Sequence, residues 1–192
     1  ASENIEDKYI NRYKYQFNLI NKISVREESG QKMIEKLTGR TDVKILLDPT
    51  MLIDITDWNK ILIKPEMIDK LCPNGERFIL NYFLGSISKE RIDEIQLISQ
   101  NYNCKIINIL DKNDPFYTCG PSEFIWLEKN AFLICTDSFH SSVFAILYKV
   151  PFIVFNRNDG QNGKNNMNSR LENLLSKFEL ESRYCTGQIT KE

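Results

Sequence analysis

The sequence predicts an α/β protein with a parallel β-sheet covered by helices on both faces. Short, almost uninterrupted apolar runs such as RFILNYFLG (77–85), AFLIC (131–135) and PFIVF (151–155) have the pattern of strands buried on two sides. Between them lie segments with apolar residues at helical spacing, and the two kinds alternate along most of the chain.

Residues 5–20 place Ile5, Tyr9, Ile10, Tyr13, Phe17 and Ile20 at helical spacing, which predicts a helix with one buried stripe. KISVRE (22–27) reads as a short strand. Glu28 and Ser29 open a second helix that stops at Gly39, and VKILLDP (43–49) is expected to be a buried strand closed by Pro49. The segment before the linker thus supplies two good strands, with a third suggested at 1–3, and reads as the end of a lobe whose opening strands are absent. Residues 50–74 lose the periodicity, carry Pro65 and Pro73, and read as a linker.

The alternation then resumes. RFILNYFLG is a strand ending at Gly85, SKERIDEIQLISQNY (88–102) an amphipathic helix, and CKIINIL (104–110) a second buried strand. PSEFIWLEKN (121–130) is a short helix with Pro121 in its first turn; AFLIC is a strand, SSVFAILYK (141–149) a helix and PFIVFN (151–156) a strand. Residues 156–168 hold six Asn and two Gly and are expected to form a polar, mobile loop before a last helix, SRLENLLSKF (169–178).

Composition narrows the function classes. A chain of 192 residues with 42% hydrophobic content can fill one sizeable core, or one domain plus a piece of a second. Lys+Arg 25 against Asp+Glu 26 leaves a formal charge of -1, so nothing in the charge balance proposes nucleic acid or an anionic membrane as a partner, and no nucleic acid is expected. The longest apolar runs are far shorter than the roughly 20 residues that span a bilayer, and residues 1–20 are too charged for a signal peptide. Cys72, Cys104, Cys119, Cys135 and Cys185 are odd in number and lack CxxC spacing, which predicts reduced thiols in a cytosolic protein; with a single histidine, a zinc site is not expected.

That histidine, His140, lies in CTDSFHSS, between a strand and a helix, where backbone N–H groups and the helix dipole converge on an anion. Ser138, Ser141 and Ser142 offer hydroxyls, and Asp137 could oppose the imidazole's charge. The alternative is a helix cap by Asp137 or Ser138 with a surface histidine beside it. Arg26 ends the strand of SVRE, where a guanidinium suits a phosphate or carboxylate; a surface pair with Glu27 or Glu28 is the competing reading. Gly85 in YFLGS allows close backbone approach at a strand end, and Ser86 could cap the next helix. No GxGxxG or Walker pattern is present, and LLDPT could be a strand terminator only.

ISVREESG (23–30), LTGRTDVKILLDPTMLI (37–53), LNYFLGS (80–86), the run GPSEFIWLEKNAFLICTDSFHSSVFAILYKVPFIVFNR (120–157) and SRLENLLSKFELESR (169–183), taken together, resemble the polysaccharide pyruvyl transferase family. The resemblance covers about residues 10–183. It implies a two-lobed, GT-B-like architecture of Rossmann-like lobes with the active site in the cleft, residues 1–55 being the end of an incomplete N-terminal lobe and start of the linker, and 56–192 the C-terminal lobe. It implies transfer of a pyruvyl group from phosphoenolpyruvate to two hydroxyls of one sugar, giving a cyclic ketal and phosphate; phosphoenolpyruvate is the donor substrate, no cofactor is expected, and the chain offers no convincing metal site.

Carried over by motif, His140 with the adjacent Phe139, and Arg26, are associated with the donor. Arg26 takes its carboxylate or phosphate; His140 binds phosphate or delivers a proton. Asp137 and Ser138 would position the turn, the amides of Ser141 and Ser142 would face the anion, and Gly85 would line the site. Where family members usually carry glycine after the motif histidine, this chain has Ser141, which narrows the donor site. The implied acceptor is a lipid-linked or nucleotide-linked saccharide of cell-surface polysaccharide synthesis, and the implied location is the cytoplasm, with peripheral association at the inner face of the membrane. Two other readings share the same anion position: a GT-B-like glycosyltransferase using a nucleotide sugar, and a catalytically silent anion-binding fragment. The sequence assigns no oligomeric state.

Overall fold

The computed structural model describes residues 5–157 and 166–187. They fall into two compact units, Ala1–Leu52 and Ile53–Glu192.

In the first unit, helices α1 (Asp7–Leu19) and α2 (Glu28–Thr38) accompany two short strands, β1 (Ser24–Val25) and β2 (Lys44–Ile45), which pair in parallel with Val25 opposite Ile45. Ile23, Ile34 and Val43 form its core, with Phe17, Val25 and Met33 packed against it. Thr38 is the last residue of α2 because Gly39 takes a left-handed φ of 76°, a conformation that costs glycine little. Arg40 closes the end of α1, donating from Nη1 to the carbonyls of Phe17 and Ile20 and from Nη2 to that of Asn21 (3.1, 2.5 and 2.9 Å).

Two expectations for this unit are corrected. The apolar stripe of α1 is not buried: no residue of the helix is, and Tyr9 and Tyr13 are 40% and 41% exposed. The VKILLDP strand is two residues long, with Leu46 and Leu47 exposed, because β1 offers only two residues of ladder and Pro49 turns the chain into a 3₁₀ helix. The strand suggested at residues 1–3 lies outside the described residues.

The second unit begins with two short helices, α3 (Ile55–Lys60) and α4 (Met67–Leu71), inside the stretch expected to be a linker; Asp54 caps α3 by accepting the Thr56 amide at 2.8 Å. Strands β3 (Phe78–Tyr82), β4 (Lys105–Asn108), β5 (Leu133–Thr136), β6 (Phe152–Phe155) and β7 (Tyr184–Cys185) then build a parallel sheet in the order β4-β3-β5-β6-β7. Helices α5 (Lys89–Tyr102), α6 (Pro121–Asn130), α7 (Phe139–Tyr148) and α8 (Asn166–Lys177) connect successive strands. This is the expected Rossmann-like α/β class.

Side chains alternate along each strand, so the two faces can be read separately. Ile79 and Cys135 pack with Ile95 of α5 on one face, whereas their neighbours Leu80 and Ile134 point the other way and are also fully buried. Both faces are therefore covered. Ser88, not Ser86, caps α5, accepting the Arg91 amide at 3.4 Å. Helix α7 begins at Phe139, two residues earlier than the apolar pattern suggested, because Ser138 is already its cap. Most of the Asn-rich loop expected at 156–168 lies outside the described residues. Among those described, no helix is long and apolar enough to cross a membrane.

Candidate active site

Ligands of open parallel sheets bind beyond the carboxyl ends of the strands, where the strand order reverses. Here that point lies between β3 and β5. The residues that leave these strands are Phe83–Gly85 and Asp137–His140, and three contacts tie them together. Thr136 Oγ1 donates to the Tyr82 carbonyl (2.6 Å) and accepts the Ser138 amide (2.9 Å). Asp137, 1% exposed, accepts the amides of Leu84 and Gly85 on its two carboxylate oxygens (2.7 and 2.8 Å). Arg157, two residues past β6, donates from Nη2 to the Asp137 carbonyl (3.3 Å) and brings Nε to 3.6 Å from the carboxylate.

Asp137 is therefore the knot that joins the ends of β3, β5 and β6. Its carboxylate takes up the amide of Gly85, the residue expected to line the site. The two backbone donors and the adjacent guanidinium fix the position of this buried carboxylate.

The knot sets the start of α7. Ser138 accepts the Ser141 amide on its hydroxyl (3.5 Å) and receives the Ser142 amide and hydroxyl on its carbonyl (3.1 and 2.9 Å). Ser141 and Ser142 are both 0% exposed, so these expected donors point into the protein and not toward solvent. Phe139 is buried, with the Arg170 guanidinium 4.8 Å from its ring centre and the His140 imidazole edge-on at 5.5 Å. His140 itself is exposed. The turn thus presents an imidazole at the positive end of a helix, with the Arg170 guanidinium over the neighbouring Phe139 and that of Arg157 at Asp137, an arrangement suited to an anion with several oxygens.

Beneath that turn Glu128 of α6 is 0% exposed and neither of its carboxylate oxygens has a hydrogen-bond partner among the described residues. Burial pushes its pKa well above the ordinary value, and the neighbouring Ser141 hydroxyl only partly offsets this. Ser141 Oγ is likewise buried without a partner in ideal hydrogen-bonding geometry. Tyr82 lies close enough that, after burial, Glu128 is the next cause of its raised phenol pKa.

Arg26 belongs to the first unit. It pairs with Asp48 of LLDPT. Asp48 is buried and also accepts the Thr50 amide at 3.0 Å. Burial alone would raise its pKa, but the Thr50 and Arg26 hydrogen bonds outweigh that and leave it below the ordinary value. Asp48 thereby orients the Arg26 guanidinium at the strand end.

Sequence reasoning missed Asp48, Glu128, Arg157 and Arg170. Arg157 carried a usable signal, standing just past a buried strand's carboxyl end; Glu128 carried another, standing three and four residues after Ile125 and Phe124 on an apolar helix face. The five cysteines are free thiols; burial raises that of Cys119 to about 11 and Cys135 further, which keeps both protonated near neutral pH. No group of three or more His, Cys, Asp or Glu side chains able to hold a metal occurs among the described residues.

Residues 2–159 match the family model described as polysaccharide pyruvyl transferase. No curated protein and no solved structure matches the chain.

Proposed function

The chain belongs to the polysaccharide pyruvyl transferase family, and from that premise we propose that it moves a pyruvyl group from phosphoenolpyruvate onto two hydroxyls of one sugar residue. The observation that carries the reading is the exposed His140 imidazole in the first turn of α7, with Arg170 against Phe139 and Arg157 at the adjoining strand end. A phosphate there meets a helix dipole and cationic side chains together.

The chemistry runs in two steps. One sugar hydroxyl adds through oxygen to C2 of phosphoenolpyruvate while the C3 methylene takes up a proton and becomes methyl. The second hydroxyl then attacks C2, the C2–O bond to phosphate breaks, and inorganic phosphate leaves with the second proton. His140 donates a hydrogen bond to the phosphate or delivers the proton to C3. Arg26 is assigned to a donor anion by its motif, and Asp48 pre-aligns its guanidinium. Phe139, Ser138 and Asp137 hold the turn. The acceptor is a lipid-linked or nucleotide-linked saccharide of cell-surface polysaccharide synthesis, met in the cytoplasm or at the inner membrane face.

Calorimetric titration of phosphoenolpyruvate tests the donor. Wild type is expected to bind, and His140→Ala to bind at least about tenfold more weakly, the loss expected for one charge-assisted hydrogen bond. His140→Gln separates the two roles: retained binding with lost phosphate release marks His140 as the proton donor. Equal binding by wild type and His140→Ala, no binding by either, or turnover of a nucleotide sugar without phosphoenolpyruvate would each overturn the reading.

A further inference from the structure

On the α5 face of the sheet, at the carboxyl ends of β3 and β4, lies a pocket of about 520 Å³. Its size suits a single ring of a small ligand. Asn81 lines it and is 8% exposed. The carboxamide donates from Nδ2 to Asn108 Oδ1 at 2.8 Å, which fixes its orientation, yet its Oδ1 has no partner among the described residues. A buried acceptor left without a donor is costly and uncommon, so it points to a donor brought by a ligand.

The rest of the lining specifies what kind. Asp111 stands at the rim with Oδ1 held by the Asn113 amide and side chain (2.9 and 3.2 Å), so the carboxylate is aligned as an acceptor. Ile92 and Leu110, 40% and 42% exposed, offer apolar surface beside it. Among the described residues, no Lys, Arg or His lines the pocket. It therefore disfavours the anionic donor and favours a neutral ring that brings several hydroxyl donors and a C–H face.

We propose that this pocket seats a neutral polyhydroxylated ring of the acceptor, with ring hydroxyls donating to Asn81 Oδ1 and Asp111 and the C–H face resting on Ile92 and Leu110. The assignment to an acceptor rests on the transferase reading above. Gly85 borders the pocket and also gives its amide to Asp137, so this site and the His140 turn share one loop. A sugar pyranose and the ribose of a nucleotide carrier have the same chemistry here, and both are tested.

Saturation-transfer NMR on the full chain uses the methyl glycosides of galactose, glucose and mannose, and uridine, as separate probes. Wild type is compared with Ile92→Trp, which fills the mouth, Asp111→Ala, which removes the rim acceptor, and His140→Ala; circular dichroism checks that each is folded. Transfer to a pyranoside, reduced at least about fivefold in both pocket variants and unchanged in His140→Ala, is the expected result. Transfer to uridine alone, with the same dependence, places the carrier's ribose in the pocket. No transfer to any probe, or full transfer surviving in either pocket variant, overturns the proposal. Phosphoenolpyruvate titration of the same proteins reads the donor site independently. Lost donor binding with intact glycoside binding therefore counts against the function alone, and the reverse against the pocket alone.

Discussion

Glu128 is a carboxyl group placed where charge is expensive. An unfolded chain ionises it near the ordinary value of 4.5, while the folded protein holds it protonated to a much higher pH. Folding therefore takes up a proton. The stability it contributes is complete below the unfolded pKa and is lost as pH rises toward the folded pKa, at about 1.4 kcal/mol per pH unit inside that window. Glu128→Gln keeps the shape and cannot ionise, so it is expected to gain on the wild type steadily from pH 4.5 upward. Urea midpoints of both proteins between about pH 4.5 and 8 check this; parallel curves would mean that the carboxyl finds solvent or a partner. The sequence carried half of this result. The spacing of FIWLEKN puts position 128 on the apolar face, but a charged residue in a helix is ordinarily read as solvated, and only the packing of α6 against α7 decides otherwise.

At the scale of elements, the first turn of α7 shows how a cap becomes part of a site. Ser138 is the cap, and it orders the turn that carries Phe139 and His140. Removing its hydroxyl in Ser138→Ala is expected to cost about 1 kcal/mol of stability. It should also weaken phosphoenolpyruvate binding more than the loss of fold explains. Thermal melts and calorimetry on the same samples separate the two effects, and full donor affinity in this variant would show that the turn needs no cap. Elements of this length were legible where periodicity or an apolar run had room to develop, as in α5, α6, β3 and β6. They were illegible where it had none. The two residues of β7 exist as a strand only because β6 holds them, and α3 and α4 are helices of six and five residues inside a stretch without a period. The tyrosines of α1 are regularly spaced, yet spacing reveals amphipathicity and not whether anything covers the apolar side.

The second unit as a whole is organised around the strand order β4-β3-β5-β6-β7, which brings together groups that are remote in the chain. That explains why His140 could be singled out from its neighbours in sequence, whereas the partners of Asp137 could not. They lie 53 and 52 residues away, and no local pattern connects a TD dipeptide with an LG one.

This separation has a kinetic consequence. β3 and β4 can pair once residue 108 has been made, but the knot at Asp137 must wait for β5, after the entropy of closing a long loop has been overcome. Contacts formed after the rate-limiting step leave refolding untouched and accelerate unfolding. Asp137→Asn is accordingly expected to refold within about twofold of the wild-type rate, while unfolding speeds up about tenfold for every 1.4 kcal/mol lost. Stopped-flow measurements in urea read both arms, and a slowed refolding arm with unaltered unfolding would move Asp137 into the nucleus. On this account the lifetime of the assembled strand ends, and not the speed with which the sheet forms, is what the buried carboxylate protects.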